Sequence, residues 1–330
     1  MKKLALRAAW ALLMLVLLLG GWITAQWLRR PALEPYADLT LSQAFPVPGK
    51  FTIRHAGVST LVFDDGETAW MTDAFLSRPT LRSVALGRIE PDAATIEREL
   101  ERLYVNRLAA VVPLHTHYDH ALDSALVAAR TGALLVGSGS AMQLGIAQGL
   151  PADRMRQVKS GDLLQFGKFK LRFIASHHSP TLLDDGRTLE TIDAPISLPA
   201  RATAWRAGEV WSLLVEHESG QRVLVQASAG FEPGALAGRH ADAVLLGVGT
   251  LGKKDAAYFE AYWREVVLAT GAKRVIPIHW DNFTLPLSQA LQPMPRLLDD
   301  FDHTMTELSR MGARDHVDIR MAPPLLPFRP

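Results

Sequence analysis

Residues 8–25 are apolar apart from Gly20, Gly21 and Thr24, with Lys2, Lys3 and Arg7 before them and Arg29-Arg30 after them. A helix needs roughly 20 residues, and no fewer than about 17, to cross a bilayer. Residues 8–28 therefore predict an N-terminal transmembrane helix. A cleaved secretory signal has an apolar region of about 7–15 residues followed by a small-x-small site, and only Ile23-Thr24-Ala25 approaches such a site. Length favours an uncleaved signal-anchor over residues 1–30. The small excess of positive charge before the span predicts a cytoplasmic N-terminus, with the rest of the chain periplasmic or otherwise outside the cytoplasm.

Beyond the anchor, Pro31, Pro35, Pro46 and Pro48 interrupt a stretch without periodicity, which reads as a linker over residues 31–48. A domain over residues 49–330 follows. Residues 51–55 and 60–63 predict strands, Asp64-Asp65-Gly66 a turn, and Trp70 and Met71 a return strand that ends at Asp73. From Asp92, Ile96, Leu100 and Leu103 recur at helical spacing among charged residues. The apolar run 109–114 predicts a buried strand, whose ladder must end or bulge at Pro113. Helix, strand and helix are expected over 121–129, 133–136 and 141–148.

The second half repeats this rhythm with more strand. Phe169, Leu171 and Phe173 alternate with Lys168, Lys170 and Arg172, which predicts a sheet with one buried face. Residues 180–206, with four acidic residues and three prolines, read as a long loop near the site. Residues 210–216 and 222–226 predict a hairpin around Ser219-Gly220, and 243–248 a buried strand. Phe259, Tyr262, Trp263, Val266 and Val267 form the stripe of a helix over 255–269 that stops at Gly271. A strand over 275–278 and a helix over 297–311 complete the pattern. Helices alternating with strands in both halves predict an α/β fold of sheets covered by helices.

Composition narrows the chemistry. With 35 basic and 34 acidic residues the formal charge is only +1, which gives no electrostatic footprint for nucleic acid. The chain has no cysteine, so any metal must be held by imidazole and carboxylate. Three predicted strands end in histidine, at His115, His177 and His279, and strand ends converge at one rim of a sheet. In the run His115-Thr116-His117-Tyr118-Asp119-His120, the first two histidines share a face of extended chain and can chelate one ion. Asp119 and His120, on the turn into a helix, can reach a second ion. So dense a cluster has no ordinary packing explanation, because buried imidazoles are costly unless paired. His217, His240, His303 and His316 stand alone and read as surface or hydrogen-bonded residues; His55 fits either reading.

The run His-x-His-x-Asp-His after a strand resembles the metallo-β-lactamase superfamily, over about residues 49–320. Met71-Thr72-Asp73-Ala74-Phe75-Leu76-Ser77-Arg78, Ala175-Ser176-His177-His178-Ser179 and Ile276-Pro277-Ile278-His279-Trp280 look closest to its ascorbate-lactonase and N-acyl-phosphatidylethanolamine phospholipase D-like branch. The resemblance implies a four-layered αββα sandwich and a metal-dependent hydrolase. It implies His115, His117 and His177 as ligands of a first metal, Asp119, His120 and His279 as ligands of a second, and Asp73 as buried support. His178 is the alternative to His177, which is favoured because the family's ligand is followed by one bulky residue and then serine. Where the family has a bridging aspartate this chain has Ala227-Ser228-Ala229-Gly230, so the bridging position is Ser228, a poor substitute for a carboxylate.

These readings predict one or two Zn²⁺ ions, with Mn²⁺ or Fe²⁺ also compatible, and Asp119 as the residue that orients water. The expected substrate is an ester, lactone or phosphodiester, in a small molecule or a lipid. A non-catalytic metal- or lipid-binding domain of the same fold is the competing reading, motivated by Ser228.

Overall fold

The computed structural model describes residues 2–45, 47–181 and 185–330; Pro46 of the expected linker and residues 182–184 of the expected loop lie outside them. Helix α1 (Lys2–Leu28) is continuous. Its Ala9–Leu28 portion is long and apolar enough to cross a membrane and is not buried by the rest of the chain. Its end is docked on the domain. Arg296 N–H donates to the Arg29 carbonyl at 3.0 Å, Leu297 N–H donates to the Gln26 carbonyl at 3.3 Å, and the Arg30 guanidinium donates to Gln292 at 3.0 Å.

Residues 31–44 of the expected linker 31–48 are laid against the domain. Leu33, Tyr36 and Leu39 recur every three residues around a short 3₁₀ turn, Glu34–Leu39, and pack on the helical core. Leu41 N–H then donates to Met321 at 2.9 Å and Ala44 N–H to Pro327 at 2.7 Å. The prolines interrupt helical periodicity without freeing the chain.

Strands β1 (Thr52–His55), β2 (Leu61–Asp64), β3 (Ala69–Thr72), β4 (Ala110–Val112), β5 (Leu134–Gly137) and β6 (Met155–Gln157) build the first sheet. Strands β7 (Leu163–Phe166), β8 (Phe169–Ser176), β9 (Val210–His217), β10 (Arg222–Gln226), β11 (Ala243–Gly247), β12 (Arg274–Ile278) and β13 (Asp318–Ile319) build the second. The last strand, β14 (Pro327–Phe328), returns to the first. The orders are β14-β1-β2-β3-β4-β5-β6 and β13-β12-β11-β10-β9-β8-β7. Strand β4 ends at Val112, just before Pro113, which has no N–H to continue the ladder.

Alternation along the strands sorts side chains into layers. Phe51, Ile53, Phe63 and Trp70 of the first sheet meet Phe169, Leu171, Val215, Val225 and Ile276 of the second in one apolar core. The opposite faces, through Met71, Val111 and Leu135 and through Leu214, Val244 and Val275, pack under helices. Over the first sheet lie α3 (Ala93–Arg102) and α5 (Ser124–Thr131), reached through α2 (Leu81–Leu86) and the short α4 (Tyr118–Ala121); α6 (Gly139–Ala147) follows β5. Over the second lie α7 (Ala256–Tyr262) and α8 (Phe301–Asp315). The layers run αββα, as the resemblance implies.

Two helices differ from the sequence reading. The stripe of Phe259 to Val267 is buried as expected, but the helix passes from α form to a π-helical segment at Trp263–Leu268. The Tyr262 hydroxyl, at the junction, donates to the Gly247 carbonyl at the end of β11 at 2.8 Å. Helix α8 starts four residues later than expected, because Asp300 caps it by accepting from His303 N–H.

Strands β3 and β4 are parallel, with Thr72 opposite Val112, and β10, β11 and β12 are parallel, with Gly247 opposite Ile278. Their C-terminal ends, with the end of β8, carry the residues singled out in the sequence.

Candidate metal centre

Two groups of ligand atoms form at this rim. His115, His117 and His178 each present one ring nitrogen, all within 4.8 Å of one another, and Asp119, His120 and His279 do the same within the same limit. The groups adjoin: the His115 and His120 ring centroids are 3.7 Å apart. His120 Nε2 lies 3.2 Å from His279 Nε2, and Asp119 Oδ2 lies 3.3 Å from the latter.

The structure corrects the preference for His177 over His178. Strand β8 stops at Ser176, so strand alternation no longer decides which side chain faces inward. His178 N–H donates to the Gly186 carbonyl at 3.2 Å and Ser179 N–H to the Ser228 hydroxyl at 2.9 Å. This path turns His178 toward His117, with ring centroids 4.5 Å apart, while His177 contacts the Glu232 carboxylate. Gly230 permits the fold-back, since a Cβ there would lie 2.3 Å from the carbonyl oxygens of both histidines. Ser228, the expected bridging position, is buried with its hydroxyl engaged by Ser179.

Asp73, at the end of β3, holds the centre from beneath. One carboxylate oxygen accepts from Leu114 N–H at 2.6 Å; the other lies 2.6 Å from the Ser59 hydroxyl and 2.9 Å from His120 Nδ1. A proton on Nδ1 directs His120 Nε2 into the ligand group.

A second brace was not read from the sequence. The buried Arg78 and Asp281 side chains pair at 2.8 Å. Asp281 accepts from Val58 N–H at 2.6 Å, and the Val58 carbonyl accepts from His279 N–H at 2.7 Å. Val58, Asp73 and His279 all have positive φ, at 47°, 40° and 62°, unfavourable for residues other than glycine and here held by these bonds. Arg78 lay within a segment quoted for the resemblance and Asp281 two residues after a candidate ligand, but nothing in one sequence pairs them.

The remaining histidines are accounted for by local contacts: His217 by Asp65, His303 by the Gly252 carbonyl, His240 by Asp242, and His55 by the Val58 carbonyl. His316 ends α8 in the left-handed conformation.

The electrostatics suit a cation. Burial, followed by neighbouring histidines, holds the His115 pKa well below its ordinary value. Burial lowers that of His117 and pushes that of His178 down to about 3. Burial would raise Asp119, but His120, His279 and His117 outweigh it and hold the carboxylate below its usual range. Burial opposes protonation of His279, yet its hydrogen bond to Asp119 and that residue's charge raise its pKa. Both ring nitrogens of His115 and Nδ1 of His279 are buried without a partner among the described residues. Neutral imidazoles withdrawn from water and left unpaired are costly, so the residues present fit a divalent ion.

Three of these shifts give an expected pH dependence. His115, His117 and His178 resist protonation when folded but take up protons near pH 6.5 when unfolded, so below that value the unfolded state binds more protons and stability falls with pH. His279, shifted upward, works the other way, since its folded form binds the proton more readily. The metal-free protein should lose stability as pH falls below 6.5, by less than about 4 kcal/mol per pH unit, because Asp123, raised by burial to about 6, takes up a proton in the folded state and opposes the loss. Calorimetric melts of chelator-treated protein from pH 7.5 to 5.5 test this; a constant or rising Tm would refute it.

Two βα halves facing each other, with a histidine and aspartate centre at one rim, define the metallo-β-lactamase fold. The chain has that fold. No family model matches the sequence, and no curated protein matches it. Solved structures do. A possible metal-dependent hydrolase from Veillonella parvula has a TM-score of 0.50 at 17% identity, over 81% of this chain and 95% of that one. A variant of CmlA, a diiron β-hydroxylase from Streptomyces venezuelae, has a TM-score of 0.50 at 14% identity, over 87% of this chain and 55% of that longer one. YhfI from Bacillus subtilis, a metallo-beta-lactamase fold protein, has a TM-score of 0.49 at 11% identity, over 84% of this chain and 98% of that one.

Proposed function

We propose that this protein is a membrane-anchored, metal-dependent hydrolase acting on an ester, lactone or phosphodiester. The observation that carries the reading is the pair of adjoining ligand groups, His115/His117/His178 and Asp119/His120/His279, with orphaned imidazole nitrogens at their centre. Zinc suits such imidazole and carboxylate donors, and Mn²⁺ or Fe²⁺ is also compatible. When bound there, a divalent ion would lower the pKa of its water to about 7 and polarise the scissile group.

The chain's own residues supply the rest. Asp119 is ionised and adjoins both ligand groups, so its carboxylate orients water and can accept a proton. Asp73 and Ser59 fix the His120 ring, and the Val58 carbonyl fixes the backbone at His279. The docked end of α1 supports a site held at a fixed attitude to the bilayer, which suits a lipid or a soluble substrate outside the cytoplasm. The local likeness of residues 71–78, 175–179 and 276–280 to lactonases and phospholipases favours those linkages.

Ser228 in place of a bridging carboxylate favours a second reading, a non-catalytic metal- or lipid-binding domain. Elemental analysis of the full-length chain, with turnover measured on an ester, lactone and phosphodiester panel, separates the two. The hydrolase reading expects at least one metal per chain and turnover that is lost in His115→Ala. Bound metal without turnover on any substrate would establish the binding domain instead.

A further inference from the structure

The candidate centre opens into a cavity of about 330 Å³ whose wall includes His117, His178, Glu190, Glu209 and Trp211. Glu190 comes from the loop over the site, and Glu209 and Trp211 from the start of β9. The lining is mostly apolar. Two polar atoms of its lining residues are left unsatisfied. Glu209 Oε2 and Trp211 Nε1 are both buried without a partner among the described residues, and the Trp211 side chain is almost fully enclosed, at 4% exposure.

A carboxylate oxygen removed from water without a donor is unfavourable, and Glu190 on the same wall adds a like charge. Neither glutamate has an ion-pair partner among the described residues. Among those lining the cavity, the one arginine is Arg187, on the same exposed loop as Glu190, and His177 is engaged by Glu232. The enclosed part of the wall therefore carries one carboxylate oxygen with unfilled acceptor capacity, on Glu209, beside an indole N–H that lacks an acceptor.

We propose that this cavity is a substrate pocket selecting molecules with an ammonium or protonated amine on a short apolar stem, the charge held by Glu209 with support from Glu190. A hydrogen-bond acceptor on the same molecule would meet the Trp211 N–H. This rests on the hydrolase reading, and it names the class of ester that the centre would act on. The ammonium group belongs equally to a soluble ester or a lipid headgroup.

Binding tests the pocket without requiring turnover. Butylammonium and its uncharged hydroxyl isostere, 1-butanol, are titrated by calorimetry into the full-length chain, at low and high salt. The cation should bind at least about 10-fold more tightly than the isostere, with the advantage shrinking as salt rises. Glu209→Gln should weaken cation binding about 10–100-fold. Equal affinities for the two probes, or no effect of Glu209→Gln, would overturn the proposal. Should that variant fail to fold, Glu190→Gln is read in the same way, with a smaller expected loss.

A second arm compares hydrolysis of the acetate ester of choline with that of its carbon isostere. Cation binding without turnover on either ester would refute the hydrolase reading and leave the pocket standing, whereas equal turnover on both would refute the pocket. Presenting the same headgroup on a long-chain amphiphile in vesicles separates the sources: faster turnover there assigns a lipid, slower turnover a soluble ester.

Discussion

Replacing His178 by alanine should remove one metal equivalent per chain and reduce hydrolysis by on the order of 10³-fold, because the group formed with His115 and His117 loses a third of its donors. The same change at His177 should leave metal content intact and activity within about 10-fold, since that side chain contacts Glu232 and lies outside both groups. The neighbouring pair makes a sharp comparison. Both residues follow the same strand and both border the same cavity, so a general disturbance of the loop would affect the variants alike. Elemental analysis beside steady-state kinetics reads the difference; metal loss in His177→Ala with retention in His178→Ala would restore the sequence-based assignment.

The largest expected effect on stability is at the buried Arg78 and Asp281 pair. Arg78→Met removes one partner and leaves the Asp281 carboxylate, whose ordinary burial cost is offset chiefly by Arg78, alone in a site of 0% side-chain exposure. Breaking such a pair costs about 3–5 kcal/mol, which lowers Tm by roughly 10 °C in a domain of this size. The effect should reach the metal centre, because Asp281 holds Val58 and Val58 holds His279. Metal affinity should fall about 10–100-fold, as for other groups that orient ligands. By contrast, the exposed Arg314 and Glu260 pair at 2.8 Å should contribute little, because solvent screens it. Thermal melts and metal titration of Arg78→Met and Arg314→Met make the comparison; equal Tm losses would show that Arg78 braces nothing in particular.

The αββα layering rests on features that a sequence displays. Alternation in Phe169, Leu171 and Phe173 assigns one face of β8 to the inter-sheet core, and the stripe from Phe259 to Val267 assigns a helix to the outer layer, because side-chain direction follows backbone period. The cluster from His115 to His120 is legible for the same reason: its members are neighbours in the chain, and one strand end with one helical turn sets their directions.

What the sequence could not give lies where the backbone leaves regular structure or where partners are far apart in the chain. His177 and His178 both follow β8, and only the bonds to Gly186 and Ser228, from two other segments, decide which faces the centre. The stretch 31–48 lacks periodicity, yet it packs through residues that meet Met321 and Pro327 from the far end of the chain. Arg78 and Asp281 are 203 positions apart, a separation that follows from their numbers, and no local pattern links them. The sequence by itself determined the layers, the rim and five of the six candidate ligands, four of them in one stretch, since local period and spacing fix direction. The tertiary structure decided the sixth ligand, the two braces and the cavity beside them, since those depend on contacts between segments that only folding brings together.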